Sequence, residues 1–246
     1  MVQGDSRSLD SAIAELDSMP SVLFRNGKPA MEGGWHEEFG VQKRLSGRAR
    51  VDVAAFHDSI RNQVLFGSGP AASSNVEQDP FSSAFLYDGG NANSWGARAA
   101  LHQTLSSNVE FTAMYSWGGT LTSRGEINSG LTNLSDSVAT RNLHSVAARV
   151  SGKLPRAGTQ VAASYKWVSG TTLSRLDPFG EAQNSIDPYL HFTVRQPLPG
   201  LNGRWAAMAD FSNVLAQGYV SVGSGDSQIY LVPVFRAFRG GVSFQF

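Results

Sequence analysis

Hydrophobic and polar residues alternate with a period of two along much of the chain. In the segment VEFTAMYSW, residues 109–117, the odd-numbered positions are apolar or aromatic, and the even-numbered positions include Glu110, Thr112 and Ser116. This period places successive side chains on opposite faces of a β-strand. It predicts nine strands, at residues 34–45, 48–65, 94–104, 109–120, 143–154, 159–170, 188–197, 204–215 and 237–246.

The connections between the predicted strands alternate in length. Short turns are expected near residues 46–47, 106–108, 155–158 and 199–203, and long polar connections near 66–93, 121–142, 171–187 and 216–236. Outer-membrane β-barrels have short turns at the periplasmic edge and long loops outside. The strands also have about the length that crosses a bilayer with tilt. The pattern therefore predicts an all-β, antiparallel, up-and-down transmembrane barrel of about nine or ten strands, with external long connections.

The two faces of the predicted strands differ in chemistry. The apolar face carries aromatic residues at its long-connection end, which predicts an aromatic girdle of Trp95, Tyr115, Trp117, Tyr165 and Trp167. The other face carries charged residues, and we expect a wet lumen lined by Arg98, Glu110, Arg149, Lys166, Arg195 and Asp210. Charges on this scale are too costly to desolvate inside a dry core, although the outer face of a soluble sheet could also carry them.

The N-terminal part of the chain has a different pattern. Residues 1–33 are predicted to be a loop segment with one short helix around Leu9, Ile13 and Leu16, and residues 34–246 to be the barrel segment. The chain start has no signal-peptide pattern and no apolar run long enough for a membrane helix. Because nine is an odd number, either the strand count is off by one or partner strands lie upstream in a longer parent, of which we expect this chain to be a piece.

Composition narrows the chemistry. The net charge is zero, so nothing favours nucleic acid as a partner, and there are no cysteines for disulfides or thiolate chemistry. The five histidines lack metal-ligand spacing, and His36 and Glu37 are adjacent strand residues that face opposite ways. No paired carboxylates or nucleophile–base motif is apparent. We therefore expect no catalytic residue, no metal, no cofactor and no enzyme activity.

Four stretches resemble the C-terminal part of TonB-dependent outer-membrane receptors, of the type that begins with a carboxypeptidase-regulatory-like domain. They are GWHEEFGVQKRL (34–45), VRQPLPGLNGRW (194–205), FSNVLAQGYV (211–220) and FRAFRGGVSFQF (235–246). The resemblance implies a portion of a barrel of about 22 strands in the bacterial outer membrane, which takes up a nutrient. Implied partners are membrane lipid, upstream strands and plug of the parent, the barrel-assembly machinery, and TonB through that plug.

The same resemblance gives the last strand a role. Phe238, Val242, Phe244 and Phe246 match the positions that the family's assembly machinery recognises. We expect Phe246 to lie on an exposed edge or in a strained pairing with residues 34–45. Two alternatives remain open at this stage. One is a complete small barrel that acts as a passive pore or structural element, and the other is a soluble β-sandwich used for adhesion or carbohydrate binding.

Overall fold

The alternating pattern is realised as antiparallel β-structure with one short helix. The protein is represented by a computed structural model. It describes residues 22–25, 28–70, 77–78, 81, 83–123, 138–198, 205–222 and 228–244. The predicted helix near Leu9, Ile13 and Leu16 lies outside these residues, and the segment predicted as loop contains a β-hairpin that the pattern did not indicate, at residues 22–31.

Sixteen strands and one helix occupy the described part of the chain. In chain order they are β1 (Val22–Arg25), β2 (Lys28–Met31), β3 (Gly33–Ser46), β4 (Ala49–Arg61), β5 (Val64–Ser68), β6 (Glu77–Gln78), β7 (Ala84–Asp88), β8 (Ala92–Ser106), β9 (Val109–Ser123), β10 (Val138–Lys153), β11 (Gln160–Val168), α1 (Pro178–Asn184), β12 (His191–Pro197), β13 (Trp205–Ser212), β14 (Val220–Val222), β15 (Ile229–Val232) and β16 (Ala237–Phe244).

Nine strands form one antiparallel sheet, which we call the wall sheet. Its order is β16-β13-β12-β11-β10-β9-β8-β4-β3, so each strand pairs with the wall strands nearest to it in the chain. All nine correspond to predicted strands, and the up-and-down order is confirmed. Within the described residues no sheet closes on itself, and β3 and β16 are the two edge strands of the wall sheet.

The connections of the wall sheet are asymmetric, as predicted. Residues 47–48, 107–108 and 154–159 are short links at one end of the sheet. The strands are joined at the other end by the long connections 62–91, 124–137, 169–190 and 213–236. We refer to these as the short-turn end and the long-connection end.

The wall sheet has one polar face and one apolar face. Along β8, every second residue from Gly96 to Ala100 is buried, while Trp95 and Ala97, which alternate with them, are exposed. We call the face that carries Arg98 the inner face and the opposite one the outer face. The outer face exposes large apolar side chains on every wall strand, including Phe39, Val53, Trp95, Tyr115, Val146, Trp167, Phe192, Trp205 and Phe238.

Two of the long connections fold together into a second sheet, which we call the cap sheet. Its order is β14-β15-β5-β7-β6, with β5 and β7 from connection 62–91 and β14 and β15 from connection 213–236. Its buried residues pack with the ends of β9 and β10 at Leu121 and Val138, in a core that also contains Leu65, Phe85, Tyr87, Leu173, Ile229 and Leu231. This sheet was not predicted, since its strands are short and lie within polar connections.

The connection of residues 169–190, which we call the inner connection, lies on the inner face of the wall sheet. We predicted most of it to be an external loop, and that prediction is wrong, because its acidic residues pair with basic residues of the wall. It contains α1, whose N-cap residue Asp177 accepts a hydrogen bond from the Gly180 N–H at 2.9 Å. Pro178 opens the helix and Ser185 ends it in the left-handed conformation.

No helix in the described residues is long and apolar enough to cross a membrane.

Candidate functional site

Arg98 of β8 lies on the inner face and joins three parts of the molecule. Its side chain is only 4% exposed, and its Nη1 donates to both carboxylate oxygens of Asp177 at 3.0 Å. Its Nη2 donates to Glu38 of β3 at 2.5 Å and to Gln183 of α1 at 3.3 Å. One guanidinium therefore links the edge strand β3, the wall strand β8 and the inner connection.

Asp177 is completely buried, and its carboxylate has a full set of donors. Besides Arg98, it accepts from the Ser116 hydroxyl at 3.1 Å and from the Gly180 N–H. A β-carbon added at Gly180 would lie 2.1 Å from Arg98 Nη1 and 2.3 Å from Asp177 Oδ2. Glycine at this position is therefore what allows the backbone of α1 to approach the ion pair.

A second buried ion pair holds the same connection three strands away. Lys166 of β11, 2% exposed, donates to the carboxylate of Glu181, which is fully buried in α1. Buried charges are stable only when they are paired, and removal of one partner leaves an uncompensated charge. The two pairs thus fix α1 against β8 and β11.

Two histidines extend the contacts between the inner connection and the wall. The ring of His36, in β3, stacks on Phe179 with 4.0 Å between centroids, and its Nδ1 lies 2.6 Å from Asp58. The two ring nitrogens of His191, at the start of β12, lie 2.9 Å from Asp187 and 2.8 Å from Asp210. Contacts from five wall strands, β3, β8, β9, β11 and β12, therefore converge on one connection.

Burial also affects a tyrosine that ends the inner connection. Desolvation raises the pKa of Tyr189 to about 12, with Glu181 adding to the shift. The phenol is therefore neutral at physiological pH. Gly218 leaves room for it, since a β-carbon there would lie 2.0 Å from the Tyr189 hydroxyl oxygen.

The residues predicted to line a lumen share the inner face, but they lie in different surroundings. Arg98 and Lys166 are buried beneath the inner connection. Arg149, Arg195 and Asp210 are half-buried on the same face. Glu110 is exposed near the short-turn end. The structure thus brings Arg98 and Lys166 together under α1 and leaves Glu110 apart.

The predicted aromatic girdle lies on the outer face. Trp95 is 66% exposed, and Tyr115, Trp167 and Tyr165 are also exposed, while Trp117 is half-buried. Tyr115 and Trp167 belong to one cross-strand row in which neighbours are direct register partners, namely Val41, Val53, Ala99, Tyr115, Val146 and Trp167. This row crosses six strands without a charged residue.

The last strand continues the outer face to the sheet edge. Phe238 and Val242 of β16 are exposed there, and Phe238 lies 4.7 Å from Phe211 between ring centroids. The backbone of Phe244 pairs with Trp205, and Phe246 lies outside the described residues.

Sequence reasoning missed the acidic residues of the inner connection, Asp177 and Glu181. Asp177 stands in the stretch RLDPFG (175–180), whose sequence indicates a loop turn, and Glu181 follows it directly. An Asp followed by Pro, with Glu four residues after the Asp, is a helix-start signal that identifies α1. It does not indicate which face of the sheet the helix covers.

The site holds its buried charged groups in fixed ion pairs. Among the described residues, no group of three or more His, Asp or Glu side chains is arranged to hold a metal ion. The arrangement anchors a connection across a polar sheet face and leaves charged groups along that face towards the short-turn end.

Comparison with known proteins adds little to this description. No protein-family model matches the chain, and no curated protein does. A solved structure of the NanC porin matches with a TM-score of 0.33 and 11% sequence identity, over 87% of this chain and 98% of that one. A similarity of this size shows neither the fold nor the function of this chain.

Proposed function

We propose that this chain forms nine strands of the wall of an outer-membrane β-barrel and takes part in solute uptake rather than in catalysis. The observation that carries the proposal is that the wall sheet buries charged side chains and exposes apolar ones, the reverse of a water-soluble sheet. Its charged face is covered in part by the inner connection, whereas its apolar and aromatic face is exposed on all nine strands. A lipid-facing outside and a polar inside are what a transmembrane barrel requires.

The open edges of the wall sheet support the finer part of the proposal. Strand edges carry unpaired N–H and C=O groups, which are costly in hydrocarbon, so a spanning sheet must be closed. The stretches 34–45 and 235–246, which resemble TonB-dependent receptors, fall largely in the edge strands β3 and β16. We propose that further strands of a receptor-like barrel pair with these edges and that uptake is coupled to TonB through a plug.

A soluble β-sandwich is less compatible with these features. In a sandwich, two sheets bury their apolar faces against each other. Here the cap sheet packs on the ends of β9 and β10 and leaves the outer face of the wall sheet uncovered.

The orientation of the wall sheet can be tested with single cysteines, because the chain has none of its own. Val150→Cys places a label on the outer face, and the neighbouring Ser151→Cys is the matched inner-face control. With the refolded chain in vesicles, brominated lipid is expected to quench a fluorophore at 150 strongly and one at 151 weakly. Equal quenching of both by aqueous iodide, with no effect of brominated lipid, would overturn the membrane proposal.

Electrophoresis without heating tests the finer part. We expect no heat-modifiable species from this chain alone, because its edges need partner strands. A compact, heat-modifiable monomer would show that β3 and β16 close on each other, and would assign the chain to the small-barrel class instead.

A further inference from the structure

A cavity lies on the inner face at the short-turn end, away from the inner connection. It has a volume of about 450 Å³, within the usual range for small-molecule sites, which is roughly 300–1,000 Å³. Its lining is polar and mainly basic, and includes Arg44, Arg48, Arg50, His102, Glu110 and Thr112.

Two of these arginines face each other across neighbouring strands. Arg44 of β3 and Arg50 of β4 are direct register partners and point to the same face. Like charges in directly opposite positions destabilise a sheet pair. An anion bound between the two guanidinium groups would offset this repulsion.

The turn that carries Arg48 is fixed to the sheet. The Arg48 N–H donates to the Ser46 hydroxyl at 3.2 Å, and its carbonyl accepts from the Thr104 N–H at 2.8 Å. The third arginine is therefore attached to a backbone that is bound to both β3 and β8, and it borders the same cavity.

The charges around the cavity are not balanced within the described residues. Arg50 donates to Asp52 at 3.1 Å, and His102 Nε2 lies 3.0 Å from the same carboxylate. Arg44 and Arg48 have no acidic partner within 4.0 Å in the described part of the chain, and Glu110, the acidic residue in the lining, pairs with neither. The positive charges of Arg44 and Arg48 therefore border the cavity without an ion-pair partner among the described residues.

We propose that this cavity binds a soluble oxyanion, a phosphate or carboxylate group carried by a small solute. The proposal rests on the proposed function, since a solute reaches the inner face through the space that the wall encloses. Arginine presents a planar fork of donors that matches both kinds of oxyanion. Thr112 and His102 add polar groups to the cavity lining, and their Oγ1 and Nδ1 atoms lie 3.3 Å apart.

The test is calorimetric titration of inorganic phosphate into the refolded full chain in an uncharged detergent at low salt, where surface charges are least screened. The double variant Arg44→Gln/Arg50→Gln is expected to bind phosphate about tenfold or more weakly, which corresponds to the loss of one strong charged contact. Arg44→Lys should show a smaller loss, because it keeps the charge without the fork.

Lys43→Gln is the matched control. It removes a positive charge from the neighbouring residue, which faces the outer side. It should change phosphate affinity by less than about twofold, since it lies outside the cavity. An equal loss in Lys43→Gln, or an unchanged affinity in the double variant, would overturn the proposal.

Two further arms separate the possible failures. Displacement of phosphate by dispersed phosphatidylglycerol would reassign the site to a lipid head group and overturn the soluble-solute claim. The titration requires no membrane, so absence of phosphate binding from a chain that passes the brominated-lipid test would remove the anion site and leave the wall proposal intact. Phosphate binding by a chain that fails the brominated-lipid test would remove the wall proposal and leave the anion site intact.

Discussion

The wall sheet and the cap sheet bury opposite kinds of side chain. Under the inner connection, the wall sheet buries Arg98 and Lys166, and it exposes valines and aromatic residues on its other face. The cap sheet buries Leu65, Phe85 and Leu231, as a water-soluble protein does. Because the two sheets belong to one chain, the overall composition of the chain does not explain this difference.

In the proposed barrel, this difference marks where the boundary between lipid and water would lie. Apolar side chains are hidden where water is outside and displayed where lipid is outside. The change occurs at the long-connection end of β9, where the outward-facing Tyr115 is exposed and Leu121 is buried in the core of the cap sheet. In the proposed barrel, the membrane–water interface would lie near this end of the wall.

The largest expected effect comes from breaking the buried charge of the wall sheet. Arg98→Met leaves Asp177 buried without its cation, and should lower the free energy of unfolding by about 3–5 kcal/mol. Urea unfolding of the chain in vesicles measures this. The double variant Arg98→Met/Asp177→Asn should recover part of the loss, because it removes the stranded charge. A loss below about 1 kcal/mol would contradict a paired, water-excluded site.

The next effect tests the apolar core of the cap sheet. Leu231→Ala removes a side chain that is almost fully buried, and should cost about 3 kcal/mol. The loss should appear as faster amide exchange in β5, β7 and β15. As a control, Val146→Ala on the outer face leaves no cavity in a packed core and should cost less than about 1.5 kcal/mol. Equal losses would mean that the outer face is packed like the cap sheet.

A lysine introduced on each sheet tests the difference between the two sheets in a third way. Val53→Lys on the outer face should lower the free energy of unfolding in vesicles by about 2–3 kcal/mol. A cation on the lipid-facing side of a barrel destabilises it by an amount that depends on its depth in the bilayer. Tyr230→Lys, at an exposed position of β15, should cost under about 1 kcal/mol. Comparable unfolding energies for the two variants would contradict a lipid-facing wall.

The smallest effect concerns Glu32, where the hairpin meets the start of the cap sheet. Burial raises the pKa of this carboxyl, although it accepts a hydrogen bond from the Val64 N–H at 2.7 Å. The folded state therefore holds the proton to higher pH than the unfolded state. Its stabilising contribution is full below the unfolded pKa and is lost as pH rises through the folded pKa.

Glu32→Gln should remove this part of the pH dependence. Unfolding measured from pH 4 upward should show a shallower decline in the variant than in the parent. Asp88→Asn, on a strand of the cap sheet near the same junction, serves as the comparison variant. A parallel pair of curves for Glu32→Gln and its parent would contradict the raised pKa.

The wall sheet could be predicted because its information is local. The alternation in residues 109–117 is sufficient to assign β9 and to separate Tyr115 from Ser116. The turn at residues 107–108 then determines its partner. Pairing between neighbours in the chain needs no knowledge of distant segments, and the same holds for the other wall strands.

The cap sheet and the inner connection could not be predicted because they depend on contacts between distant segments. β5 pairs with β15, from the opposite end of the chain, and neither strand is long enough to show a period. Asp177 and Glu181 look like ordinary polar loop residues until Arg98 and Lys166 are placed beside them. A polar loop composition is compatible with solvent or with a buried partner, and only the partner distinguishes the two.

The pairing of β5 with β15 has a consequence for the order of folding. No connection between paired wall strands is longer than residues 62–91, so their loops close more readily than the one between β5 and β15. The pair Phe66 and Val232 must wait for nearly the whole chain. We expect the wall to assemble stepwise and the cap sheet to form last, as the slow step that locks the molecule.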